Sequence, residues 1–155
     1  SQSQTTASDQ HHQQRRKLFG PSSNFARTVG PCESFVRVSA LVSPAHAMFL
    51  DGLLIPAHCL VNGKTILQER GLDRVDYYHV VLDSHDVLLA EGAPSESFMD
   101  DDSRSMFHNA GEFDALYPNA TRPDGYCARR VEQGAELEAI RRRLAAVAKE
   151  MAQAA

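Results

Sequence analysis

With 155 residues, 43% of them hydrophobic, the chain can bury one modest core and carry tails, which excludes two large domains. Its formal net charge of −4 is spread along the sequence, so the footprint of a nucleic-acid binder is missing despite short basic runs at Arg15–Lys17 and Arg141–Arg143. No stretch approaches the roughly 20 consecutive apolar residues of a membrane span, and no apolar run near the N-terminus reads as a signal peptide.

Residues 1–33 are rich in Gln, Ser, Thr and His and poor in bulky apolar groups, so they are expected to form a disordered tail or linker. The opening Ser1-Gln2-Ser3-Gln4 lacks an initiator Met and reads as a processed, truncated or partly covered product. At Ser34-Phe35-Val36-Arg37-Val38 apolar and polar residues begin to alternate, the pattern of a half-buried strand. A β domain is expected from here to residue 99.

From Leu41 to Ile66 short apolar runs are broken by Ser43-Pro44, Asp51-Gly52, Pro56 and Asn62-Gly63. Asp-Gly and Asn-Gly favour positive φ, so two consecutive hairpins are predicted. Two further strands are expected at Val75–Leu82 and Val87–Ala90. Residues 91–126 carry the acidic cluster Asp100-Asp101-Asp102 and turn formers at Gly111, Pro118, Pro123 and Gly125, so an irregular extension is predicted over 100–133. From residue 134 to 155 the spacing of Leu137, Ile140, Leu144, Val147 and Met151 predicts a helix, with Glu138 and Arg142 as an i,i+4 pair. Its apolar seam covers about two heptads, short of a coiled coil, which favours packing on the β body over dimerisation. The fold class is therefore mainly β with a C-terminal helix.

Cys32, Cys59 and Cys127 are too few and too scattered for a disulfide framework, and none lies in a CxxC zinc pattern. The Asp100–Asp102 cluster lacks the alternating ligands and closing Glu of a calcium loop. His79, His85 and Asp86 together evoke a metal-dependent hydrolase, but that class draws its ligands from several helices. No metal or cofactor is expected. Asn119-Ala120-Thr121 matches a glycosylation triplet, as many unmodified sequences do.

The motif with chemical content is Leu41-Val42-Ser43-Pro44-Ala45-His46-Ala47-Met48-Phe49-Leu50-Asp51-Gly52, followed by Leu60-Val61-Asn62-Gly63-Lys64-Thr65-Ile66. It resembles the Hint (hedgehog/intein) block built around Thr/Ser-x-x-His and the Leu-x-x-Gly segment after it. Downstream, Tyr77-Tyr78-His79 and His85-Asp86-Val87-Leu88-Leu89-Ala90-Glu91-Gly92 resemble the late Hint block, in the form found in a bacterial Hint subfamily. The likeness runs from Phe35 to about Leu144 and implies an incomplete Hint-like β fold.

Such a family performs autoprocessing. A Cys or Ser at the start of the domain attacks the preceding peptide carbonyl, and the resulting (thio)ester is cleaved by water or another nucleophile. The resemblance makes His46 the proton donor to the leaving nitrogen, with a pKa near neutrality. It makes Ser43 the group that polarises or holds the scissile carbonyl, and His79 the acceptor of the nucleophile's proton. His85 would orient that partner. It also implies, by analogy, a secreted or cell-surface setting.

The early Hint block, with its nucleophilic Cys, is not matched: Gly30-Pro31-Cys32-Glu33-Ser34 departs from it, and Cys32 lies too close to Ser43. Ser1 is followed by a polar stretch that argues against it as the nucleophile. Phe107-His108-Asn109 resembles the His-Asn that ends inteins, but no Cys, Ser or Thr follows it directly. The expectation is a remnant or fragment of a self-cleaving domain, inactive alone, whose partner is a complementing N-terminal Hint segment or its own precursor. The competing expectation is a non-catalytic module that presents the acidic loop or the terminal helix to another protein. For an arbitrary protein, His46 would sooner be a satisfied core histidine; the surrounding block reverses that preference.

Overall fold

The computed structural model describes residues 12–18, 25–30, 38–70 and 75–153, with side chains described from Leu41 onward. Among the described residues, ten strands form three sheets. The largest has the order β10-β5-β4-β9-β8 and is built from β4 (Ala47–Leu50), β5 (Leu53–Pro56), β8 (Val87–Ala90), β9 (Ala93–Glu96) and β10 (Arg129–Arg130). Its pairings are antiparallel except β10 against β5, which is parallel. A second sheet has the order β3-β2-β6, from β2 (Phe25–Gly30), β3 (Val38–Val42) and β6 (Ile66–Glu69). The third pairs β1 (His12–Leu18) with β7 (Val75–Val81), placing Gln14 opposite His79.

The Asp51-Gly52 turn forms as expected. Asp51 (φ 52°) and Gly52 (φ 76°) both occupy the left-handed region, which suits the twist of the β4–β5 hairpin. The second expected hairpin does not form. After Pro56 the chain makes a single helical turn, α1 (Ala57–Leu60), which buries Ala57, Cys59 and Leu60. Asn62 then ends the turn through its side chain: Oδ1 accepts the amides of Lys64 (3.0 Å), Thr65 (2.9 Å) and Ile66 (3.0 Å). An Asn that satisfies three amides locally removes the need for a facing strand.

Three further differences have plain causes. β1 and β2 fall inside the 1–33 segment expected to be a tail; a polar segment that cannot build a core of its own can still donate its backbone to existing strand edges, here β7, β3 and β6. β9 falls inside the stretch expected to be loop, hidden by Pro94, yet it closes a Glu91-Gly92 hairpin with β8. The extension also holds a 3₁₀ turn (Arg104–Met106) and a helix, α2 (Ala110–Leu116). The expected strand start at Ser34–Arg37 lies outside the described residues, as does Cys32.

The main core joins Met48, Ile55, Leu60 and Ile66 to Leu137 and Ile140 of the last helix, α3 (Ala135–Gln153), with Leu144 packed against it. The predicted seam thus faces the β body. Arg143 ties α3 to the hairpin turn through Asp51 (2.7 Å), while Glu138 pairs with Arg141 (2.8 Å) and not with the expected Arg142. A second cluster of Val81, Phe98, Phe107 and Phe113 anchors the extension. There Asp100 meets Arg104 at 2.9 Å and Arg122 at 3.4 Å, so the acidic cluster is partly spent on internal pairing. No helix among the described residues is long and apolar enough to cross a membrane.

Candidate active site

Ser43-Pro44-Ala45-His46 forms one tight turn between β3 and β4, closed by the His46 amide on the Ser43 carbonyl (3.0 Å). Proline at the second position presets the backbone for such a turn. A four-residue turn brings its first and last residues to the same side, which is the physical content of the Ser-x-x-His spacing. Two neighbours hold it: the Pro44 carbonyl accepts the His58 amide (2.9 Å) and contacts His58 Nδ1 (2.8 Å), and the His46 carbonyl accepts the Ala57 amide (2.9 Å).

The turn opens on a cleft of about 190 Å³ lined by Ser43, His46, His79, Glu96, Phe107 and Arg130, among others. Drug-sized ligand pockets run to roughly 300–1,000 Å³, so this cleft suits a peptide group or a few waters. His79 enters from β7, its ring 5.6 Å from that of His46, edge to face. Phe98 at 5.4 Å and Phe107 at 5.1 Å pack the other edges of His79, and those two phenylalanines meet each other at 5.2 Å. Three of the four expected residues therefore share one cleft.

His85 does not line it. The His85 ring is buried behind Glu96, its Nδ1 accepting the Cys127 amide (3.0 Å), which leaves the proton of the neutral ring on Nε2. Nε2 lies 3.5 Å from a Glu96 oxygen, a charge contact too long for a good hydrogen bond. Burial lowers the His85 pKa, while Glu96 and Asp86 oppose the shift.

Two residues not foreseen from the sequence complete the site. Glu96, at the end of β9, is buried, and Arg130, on β10, donates from Nη1 to both its oxygens at 3.2 Å. The carboxylate also accepts the Ala47 amide (2.7 Å), and the guanidinium donates to the Ala45 carbonyl (2.6 Å). Nothing in the spacing of either residue signals this pairing, because it depends on the parallel β10–β5 contact, which is long-range. Burial, the Arg130 charge and His85, in that order, hold the His46 imidazole down at about 4. This corrects the expected near-neutral value: at pH 7 His46 is uncharged.

The described cysteines stand apart from the cleft. Cys59 is buried, with Sγ 3.4 Å from His58 Nε2, and burial pushes its thiol up; burial also raises Cys127. Neither thiol has the lowered pKa of an activated nucleophile. Among the described residues no cluster of His, Cys, Asp and Glu has the geometry to hold a metal ion.

Residues 31–102 match the family model described as the Hint domain. No curated protein and no solved structure matches the chain.

Proposed function

From the match of residues 31–102 to the Hint-domain family model, we propose that the cleft is the proton-transfer half of an autoprocessing site, inert until a nucleophile is supplied. The observation that carries this is the convergence of Ser43, His46 and His79 on one peptide-sized cleft. The nucleophile, a Cys or Ser, comes from a complementing N-terminal segment, either of the precursor or of a separate chain. Its sulfur or oxygen bonds to the scissile carbonyl carbon and the carbon–nitrogen bond breaks. The proton it loses passes to the pair of imidazoles, His46 and His79. The imidazolium formed in this buried setting is a strong acid and delivers the proton to the departing amide nitrogen. Ser43 holds the carbonyl in register from the other end of the turn, and water or another acceptor then resolves the ester.

The competing reading, a module that presents its acidic loop or last helix, would use groups already engaged inside the fold. Asp100 is paired with Arg104 and Arg122, Asp102 is paired with Arg122, and the helix seam is buried at Leu137 and Ile140. Co-expression with an early Hint block, followed by mass spectrometry, tests the proposal. A cleaved product is expected from the wild type and none from His46→Ala.

A further inference from the structure

The backbone on either side of His46 is held by a single ion pair. The carbonyl before it, on Ala45, accepts from Arg130 (2.6 Å), and the amide after it, on Ala47, donates to Glu96 (2.7 Å). Glu96 and Arg130 are bound to each other through two contacts of 3.2 Å. One flanking peptide is tied to the guanidinium and the other to the carboxylate, so both are fixed by one charge-assisted pair. Glu96 is 9% exposed and the Arg130 side chain 22%, so water screens the pair only partly. Arg130 lies beyond the segment matched to the family, on a strand set by the pairing of β10 with β5 and by the Val131 amide on the Leu54 carbonyl (2.8 Å).

We propose that Arg130, acting through Glu96, is a positioning residue that clamps the Ser43–His46 turn, so that the C-terminal segment of this chain completes the cleft of the Hint domain. The role rests on the functional reading above, but its physical content is independent of whether cleavage occurs. The clamp has two separable outputs. The ion pair fixes the backbone on both sides of His46, and the positive charge disfavours a second positive charge on the His46 ring. Tyr126, edge to face with the His85 ring at 5.2 Å and with the guanidinium 5.8 Å from its ring centre, helps confine Arg130 to this place.

The charged and titratable groups facing His46 are Arg130 from β10, Glu96 from β9, His79 and Tyr77 from β7, His85 from the loop after β7, and Asp101 and Tyr126 from the cleft lining. Of these, Arg130 is the fixed positive charge. Removing it while keeping a hydrogen-bonding side chain therefore isolates its electrostatic part, and Arg130→Lys keeps the charge while removing the simultaneous contacts of Nη1 and Nη2.

The test uses the full chain and proton NMR. Ring signals of His46 are titrated in the wild type, Arg130→Gln and Arg130→Lys, and amide exchange of Ala47 is followed in the same three and in Glu96→Ala. Far-UV circular dichroism and retained protection in α3 certify the fold. The expected result is a His46 midpoint that rises above about 4 in Arg130→Gln, with burial still holding it below 6.5, and stays low in Arg130→Lys. Ala47 exchange should quicken at least tenfold in Glu96→Ala. Unchanged midpoint and unchanged Ala47 protection in folded variants would overturn the clamp. If no variant cleaves in the complementation assay, wild type included, the functional reading fails while these NMR results still decide the clamp.

Discussion

The imidazoles of His46 and His79 meet edge to face at 5.6 Å, one from a turn and the other from a strand of a different sheet. This contact turns two separate sequence motifs into one chemical site. It also ties the site's protonation to the packing around it.

The stability of the protein should fall in mild acid. The folded-state pKa of His46 is lowered from 6.5 to about 4, so between these values the unfolded chain binds more protons than the folded one. Stability from this group is complete above about pH 6.5, is lost as pH falls toward 4, and changes no further below that. The full window is worth up to about 3 kcal/mol at 1.36 kcal/mol per pKa unit. The lowered pKa of His85 acts in the same direction. Urea midpoints at pH 7 and pH 4.5 should differ clearly in the wild type and less in His46→Asn.

Phe107 connects the extension to the cleft, since its ring touches both His79 and Phe98. Phe107→Ala should cost about 3 kcal/mol through loss of buried surface and the cavity left behind. It should also free the His79 ring, visible as broadened or shifted imidazole signals. A chemical denaturation curve close to the wild type would contradict the placement of the extension against the cleft.

Asn62→Ala removes the acceptor of three amides and the donor to Thr65 Oγ1 (2.9 Å). A loss of about 2 kcal/mol is expected, at the upper end of the range for caps, because Thr65 and Ile66 are buried. Asn62→Asp keeps the acceptor and should retain most of the stability above the carboxylate pKa. Thermal melts of the two variants provide the comparison.

Ile140→Asp places a carboxylate where the side chain is 3% exposed, between α3 and the β body. Destabilisation above about 3 kcal/mol is expected, with loss of the cooperative transition. Arg142→Glu, on the exposed face of the same helix, should stay within about 0.5 kcal/mol. Equal effects at the two positions would mean the seam faces elsewhere.

What could be read from the sequence was local. Asp51-Gly52 dictated its hairpin through positive φ, and Leu137, Ile140 and Leu144 marked the helix face by their spacing. Val87–Ala90 and the whole of Val75–Val81 were legible as strands from their apolar runs. Where one side chain substituted for a strand, as at Asn62, the turn signal was right and its consequence wrong. Pro94 concealed β9, since proline argues against a strand interior although this strand tolerates it opposite Leu89.

The site divides in the same way. Ser43 and His46 were legible because a single turn links them, and His79 because its motif survives intact. Their convergence needed the tertiary fold. Glu96 and Arg130 carried no local signature: a lone Glu at a strand end and an Arg in a charged stretch read as solvated surface. The depressed pKa of His46 was equally invisible, being a product of burial and of a guanidinium brought in from β10.

The most direct test of the central claim is intact-mass analysis after co-expression with an early Hint block that supplies a nucleophilic Cys. The cleft account predicts a mass loss matching scission at that Cys, abolished by His46→Ala and strongly slowed by His79→Ala, with both variants still folded. Scission that proceeds equally well in folded His46→Ala, or that never occurs in the assembled wild type, would contradict it.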